Sequence, residues 1–220
     1  MARDTTTLTR TQVADERLTD WEWMVGAIEA RYDTGGFAAG LELVNRIGAA
    51  AEEADHHPDL TLTWPYVHVR LVSHDAGGVT SRDVALARRI SEIAAGVGAT
   101  PTREKLTRVE IGLDTADTPA ATEFWSAVLG YDVAGHEAVV DPDGRQVELW
   151  FQESDARDEG RQRFHVDVTV PPDQAQARID AALAAGGTIV STDRAPAFTV
   201  LADPEGNKVC VCTWQGRESS

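Results

Sequence analysis

The chain has 220 residues, with 20 Lys and Arg against 36 Asp and Glu, a formal net charge of −16. That acidity argues against a general nucleic-acid or anionic-membrane surface, and the length allows one large or two small domains with real apolar cores. Cys210 and Cys212 are too few for a disulfide framework, and no apolar run suits a signal peptide or a membrane span, so a soluble cytoplasmic protein is expected.

In chain order, "TRTQVADERL" (9–18) suggests a short helix and "WEWMVGAIEARYD" (21–33) a strand. After Gly35-Gly36, residues Phe37, Leu41, Val44, Ile47 and Ala51 recur as one face of a helix. Pro58 is expected to end it, because the residue before a proline is pushed out of the α region. "LTLTW" and "YVHVRLVSH" read as two strands separated by Pro65. "TSRD" (80–83) is a capping-box pattern opening a helix through Leu86, Ile90 and Ala94. The order is α-β-α-β-β-α, an α+β layout for a domain over residues 1–98. "AAGVGATPTREK" (94–105) then reads as a linker.

The remainder, residues 105–216, repeats itself. "RVEIGLDTADTPAATEFWSAVLGYDV" aligns with "HVDVTVPPDQAQARIDAALAAGGTIV", and "VVDPDGRQVELWF" with "LADPEGNKVCVCT". Arg108 falls over His165 and Glu148 over Cys210. Each copy reads strand, helix, then strands around a "DP-x-G" turn, a duplicated βαβββ arrangement.

"EEADHHPD" (52–59) sets two adjacent histidines among carboxylates at a helix end. Histidine can act as an acid or a base near neutral pH. Left to themselves, the pair could equally be a surface feature answering the helix dipole. The wider spacing separates these readings: Glu52, His56-His57-Pro58, Trp64, His74 and Asp83, with "SH" and "GGVT" between the last two. In this string the chain resembles the pterin-4a-carbinolamine dehydratase family over roughly residues 8–96. The resemblance implies a 4a-hydroxytetrahydropterin substrate, no metal and no cofactor, and a homo-oligomer, with a dimer the first expectation. It implies a catalytic set of His56, His57 and His74, with proton transfer by His56 and His74 and pterin binding by His57 and Pro58 with main-chain groups around Ser73, His74 and Asp75. Glu52 reads equally as a solvated helix position and Trp64 equally as core or pocket. Asp83 is sufficiently explained by the capping box. His68 shares the His74 strand face as a structural or rim residue. A zinc site from His56, His57 and His74 is possible on ligand count, though adjacent ligands are awkward.

With "FW…LG", "DP.G" and "DPEGN", the duplicated half resembles the glyoxalase-like, vicinal-oxygen-chelate superfamily, which commonly binds a divalent metal. The resemblance puts Arg108, Glu148, His165 and Cys210 at the ligand positions. Arg108 cannot ligate, since its guanidinium stays protonated. The expectation is therefore a ligand pocket without metal, with Arg108 paired to Glu148 or to an acidic ligand. Two alternatives remain: the first half as a non-catalytic, dimerising binding module, or the second half as a metal-independent enzyme or small-molecule binder.

Overall fold

The stretch from Trp21 to Asp33, read above as a single strand, is a hairpin. A computed structural model describes residues 4–107, 110–135, 137–153, 166–170, 172–213 and 215. In it, a short helix α1 (Arg10–Asp15) precedes β1 (Glu22–Met24) and β2 (Ala27–Asp33), which pair antiparallel with Met24 opposite Ala27. The connecting residues Val25 and Gly26 have φ of 43° and 76°, the pair of positive values that matches a tight turn to the strand twist.

Then come α2 (Phe37–Ala54), β3 (Asp59–Thr63), β4 (Tyr66–Leu71), α3 (Ser81–Gly96) and β5 (Thr100–Pro101). The sheet runs β1-β2-β4-β3, with β5 also on β2. Alternation along the strands puts Ile28, Ala30 and Tyr32 of β2 and Val67, Val69 and Leu71 of β4 on one face. There they pack with Leu43 and Ile47 of α2 and Leu86, Ala87 and Ile90 of α3 in one fully buried cluster. The other face carries Tyr66, His68 and Arg70. His68 Nε2 lies 3.0 Å from Oε2 of the buried Glu29, which accounts for that histidine structurally.

The face that α2 presents differs from the expected one. Phe37 and Leu41 are 52% and 46% exposed, and the buried stripe is Gly40, Leu43, Ile47, Ala50 and Ala51. Close packing on β3 goes with this: a Cβ on Gly40 would stand 2.6 Å from Leu62 Cδ1, so a larger residue would require that side chain to shift where the helix crosses the strand.

The expected linker also differs. The chain forms two compact units, Met1–Arg108 and Val109–Ser220, and residues 100–105 belong to the first. Thr102 N–H donates to Arg31 O at 2.7 Å, and Lys105 Nζ reaches Asp33 Oδ2 at 2.8 Å. The Lys105 hydrogen bond, assisted by the charge of Arg31, holds the Asp33 carboxyl below its usual range. A carboxyl depressed in the folded state contributes stability above its unfolded pKa of about 4 and loses it as pH falls through the lower folded value. A fragment ending at residue 98 should therefore melt about 5 °C or more below one ending at residue 107 at neutral pH, with the gap narrowing in acid. Equal melting temperatures by circular dichroism would show that the segment adds nothing.

In the second unit, β6 (Glu110–Thr115), α4 (Thr118–Leu129), β7 (Asp132–Ala134), β8 (Ala138–Val140) and β9 (Glu148–Glu153) form one copy. The other is β10 (Val166–Thr169), α5 (Pro172–Ala184), β11 (Thr188–Ser191), β12 (Phe198–Ala202) and β13 (Lys208–Cys212). Their sheets run β6-β9-β8-β7 and β10-β13-β12-β11, each with its first and last strands parallel, so the duplication is one of topology. Together with the first unit this makes an α+β protein.

The "DP-x-G" turns are held by their aspartates. Asp141 accepts backbone N–H groups from Asp143, Arg145 and Gln146. Asp203 accepts from the backbones of Glu205 and Asn207, from Asn207 Nδ2, and from Trp125 Nε1 of α4 at 3.1 Å. The two copies are thus pinned together at a carboxylate that is 3% exposed. Asp203→Ala should cost about 2–4 kcal/mol, because it strands buried donors, and Asp141→Ala about 1 kcal/mol or less. Equal losses on urea unfolding would contradict the pinning role.

Candidate active site

The backbone sets His56 before any side chain acts. Helix α2 ends at Ala54 without help from Pro58. Asp55 takes the left-handed conformation (φ 48°, ψ 41°), its N–H donates to Glu52 O, and His56 N–H donates to Ala51 O at 3.1 Å. This is the six-to-one, five-to-two pattern of a Schellman end. In such an end the residue after the left-handed turn folds back on the helix and is usually apolar. Here it is His56, 7% exposed.

A buried imidazole needs partners, and His56 has one in Asp83 of α3. His56 Nε2 lies 2.7 Å from Asp83 Oδ1, with both side chains buried. The other oxygen, Oδ2, accepts Thr80 N–H at 2.7 Å, Ser73 Oγ–H at 2.7 Å and Thr80 Oγ1–H at 3.1 Å. A carboxylate ringed by donors serves as an acceptor. Its Oδ1 accordingly fits an Nε2–H of His56, with Nδ1 on the other side of the ring. The capping box is present, but it uses only one of the two oxygens. Asp83 therefore does more than the sequence reading assigned to it.

Its Ser73 contact ties the same carboxylate to the segment carrying His74. Strand β4 stops at Leu71, so His74 is not on the strand face with Tyr66, His68 and Arg70 as expected. Ser73 and Gly78 instead close a small loop by reciprocal backbone bonds of 3.0 and 3.4 Å, and His74 sits in it, exposed. Asp75, next in the loop, pairs with Arg82 Nη2 at 2.7 Å, fastening it to the first turn of α3. Asp83 thus joins the His56 segment to the Ser73–Gly78 loop.

His57 points elsewhere. It is 58% exposed and its Nε2 lies 3.1 Å from Glu52 Oε1, so Glu52 has a specific partner within the string. Pro58 is half-buried where the chain enters β3. Trp64 is 71% exposed, at the turn between β3 and β4, and belongs to neither the core nor a closed pocket.

Of the four positions named in the second unit, Arg108 and His165 lie outside the described residues. Glu148 is half-buried, opposite Glu110 in the parallel register of β6 and β9. Cys210 is buried, opposite Asp167. Trp150 lies over Gly112, where a Cβ would meet its ring at 2.9 Å. Among the described residues no group of three His, Cys, Asp or Glu side chains could hold a metal ion. A cavity of about 900 Å³ in this unit is lined by neither Glu148 nor Cys210, but by residues of α4, α5 and the β7–β8 region such as Glu123, Val133 and Ala184.

Residues 6–93 match the family model described as pterin 4 alpha carbinolamine dehydratase, and residues 110–212 match that of a glyoxalase-like domain. A protein of Thermomicrobium roseum, provisionally named pterin-4-alpha-carbinolamine dehydratase, is 42% identical over 79 residues, spanning 36% of this chain and 85% of that one. A solved transcriptional coactivator/pterin dehydratase from Brucella melitensis is 27% identical with a TM-score of 0.39, covering 40% of this chain and 99% of that chain. A solved glyoxalase/bleomycin resistance protein/dioxygenase family enzyme from Burkholderia phytofirmans is 19% identical with a TM-score of 0.39, covering 47% and 95%. No helix among the described residues is long and apolar enough to cross a membrane. Matched over most of the length of its Thermomicrobium relative, the chain belongs through its first unit to the pterin-4a-carbinolamine dehydratase family and carries a glyoxalase-like domain in its second.

Proposed function

We propose that the first unit is a hydro-lyase that removes water from a 4a-hydroxytetrahydropterin to give the quinonoid dihydropterin. The observation that carries the reading is the Asp83 carboxylate, which holds His56 by one oxygen and the base of the His74 loop by the other. In this reading the N5 proton passes to Nδ1 of His56, the free lone pair of an imidazole whose other nitrogen is held by Asp83. The electron pair left on N5 closes the N5=C4a double bond, the C4a–O bond breaks, and His74 protonates the departing hydroxyl as water. His57, exposed and steadied by Glu52, orients the pterin beside Pro58, with main-chain groups around Ser73 and Asp75 completing the grip. No metal takes part in these steps, and a zinc role for the three histidines is set aside.

Self-association is supported by the apolar pair Phe37 and Leu41 on the open face of α2. For the second unit no reaction is assigned, because a fold of this kind hosts many chemistries. The deciding test is a stopped-flow assay of the purified protein on freshly generated 4a-carbinolamine. Dehydration well above the spontaneous rate is expected. A rate equal to the protein-free control would remove the enzymatic reading and leave a binding module.

A further inference from the structure

We propose that the cleft between α1 and β1 binds a small organic anion with a flat or branched apolar body, at a site separate from the dehydration residues. The cleft is a cavity of about 300 Å³, at the lower end of the range for small-molecule sites. Its apolar wall includes Leu18, Trp21 and Trp23, and three guanidinium-bearing residues line it: Arg10, Arg17 and Arg103. None of the histidines or their partners contributes to the lining.

The charge distribution is what singles it out. Seven other described arginines of this unit each pair with a carboxylate, Arg103 among them through Glu22 at 2.7 Å. Arg10 and Arg17 alone have no carboxylate within ion-pair distance among the described residues, and both border the same cavity. In a chain with 36 acidic residues against 20 basic, two guanidiniums without an ion-pair partner at one cleft, where the lining carboxylate Glu22 is taken up by Arg103, leave donors available to an anion. Arginine also presents a planar fork suited to carboxylate, sulfonate or phosphonate groups, and the two indoles offer flat surfaces to the ligand body.

The backbone adds an independent argument. Arg17 occupies the left-handed position just past α1, with φ of 52° and its N–H on Ala14 O at 3.1 Å. Glycine is the relaxed residue there, and an arginine carries local strain. Its side chain is thus not explained by the fold, whereas anion binding explains it.

The test is titration of the full-length protein with benzoate and phenylphosphonate, and with benzamide as the neutral control. It is followed by tryptophan fluorescence and by the indole N–H resonances of Trp21 and Trp23. At least one anion should bind tenfold or more tighter than benzamide and shift the indole signals. Arg17→Gly should weaken that binding about fivefold or more while leaving the melting temperature unchanged or raised by about 1–3 °C. Arg10→Gln should weaken it similarly. Anions binding no better than benzamide, or wild-type affinity in both variants, would overturn the proposal. So would an absence of shifts at both indoles at millimolar ligand.

Discussion

His74→Ala and His56→Ala should each lower dehydratase turnover by about 10²–10⁴-fold, the usual worth of a positioned proton donor or acceptor. Their effects on stability should differ. His74 is exposed in the Ser73–Gly78 loop, so its removal should leave the melting temperature within about 1 °C of wild type. His56 is buried on Asp83, and its loss strands a carboxylate oxygen, at a cost of about 1–3 kcal/mol. His57→Ala, at an exposed position, should raise KM more than it lowers kcat. Wild-type turnover in both proton-transfer variants would end the mechanism proposed here, whatever their stability.

Asp83 should give the largest structural effect. Asp83→Ala removes the acceptor for His56, Ser73 and Thr80 in a region closed to water, and should cost about 3–5 kcal/mol. Asp83→Asn separates the roles. It keeps the volume and one acceptor oxygen, but offers an N–H₂ where two acceptors are needed. A folded Asp83→Asn protein should lose about 10²–10³-fold in kcat, with a smaller change in KM and an altered pH profile, because the His56 tautomer is no longer imposed. Wild-type kcat and pH profile in folded Asp83→Asn would reduce Asp83 to a helix cap.

The contrast between Asp83 and its neighbours shows what could have been read in advance. Asp83, Ala87, Ile90 and Ala94 share the i, i+4, i+7 spacing of the buried side of α3. A carboxylate on an apolar stripe must be paired, and this signal was present beside the capping box that seemed to explain it. The identity of the partner was not present. His56 is 27 residues away, and its meeting with Asp83 depends on how the end of α2 packs against the start of α3. Arg17 is a similar case, since the sequence does not mark it as the left-handed residue that ends α1.

What the sequence by itself determined was whatever is local or periodic. The "TSRD" cap, the β3 and β4 strands around Pro65, and the βαβββ duplication with its "DP-x-G" turns all follow from short-range hydrogen bonding or repeated spacing. The tertiary structure decided the hairpin at Val25-Gly26, the recruitment of residues 100–105 onto β2, and the side of α2 turned inward. The last two depend on contacts distant in sequence, the Thr102 N–H on Arg31 O and Leu62 Cδ1 crowding a Cβ at residue 40, and the first on a positive φ at Val25 that a β-branched residue does not announce. It also decided that one carboxylate serves both a helix cap and an imidazole, because a buried charge takes its partners from the whole packed surface rather than from its own segment.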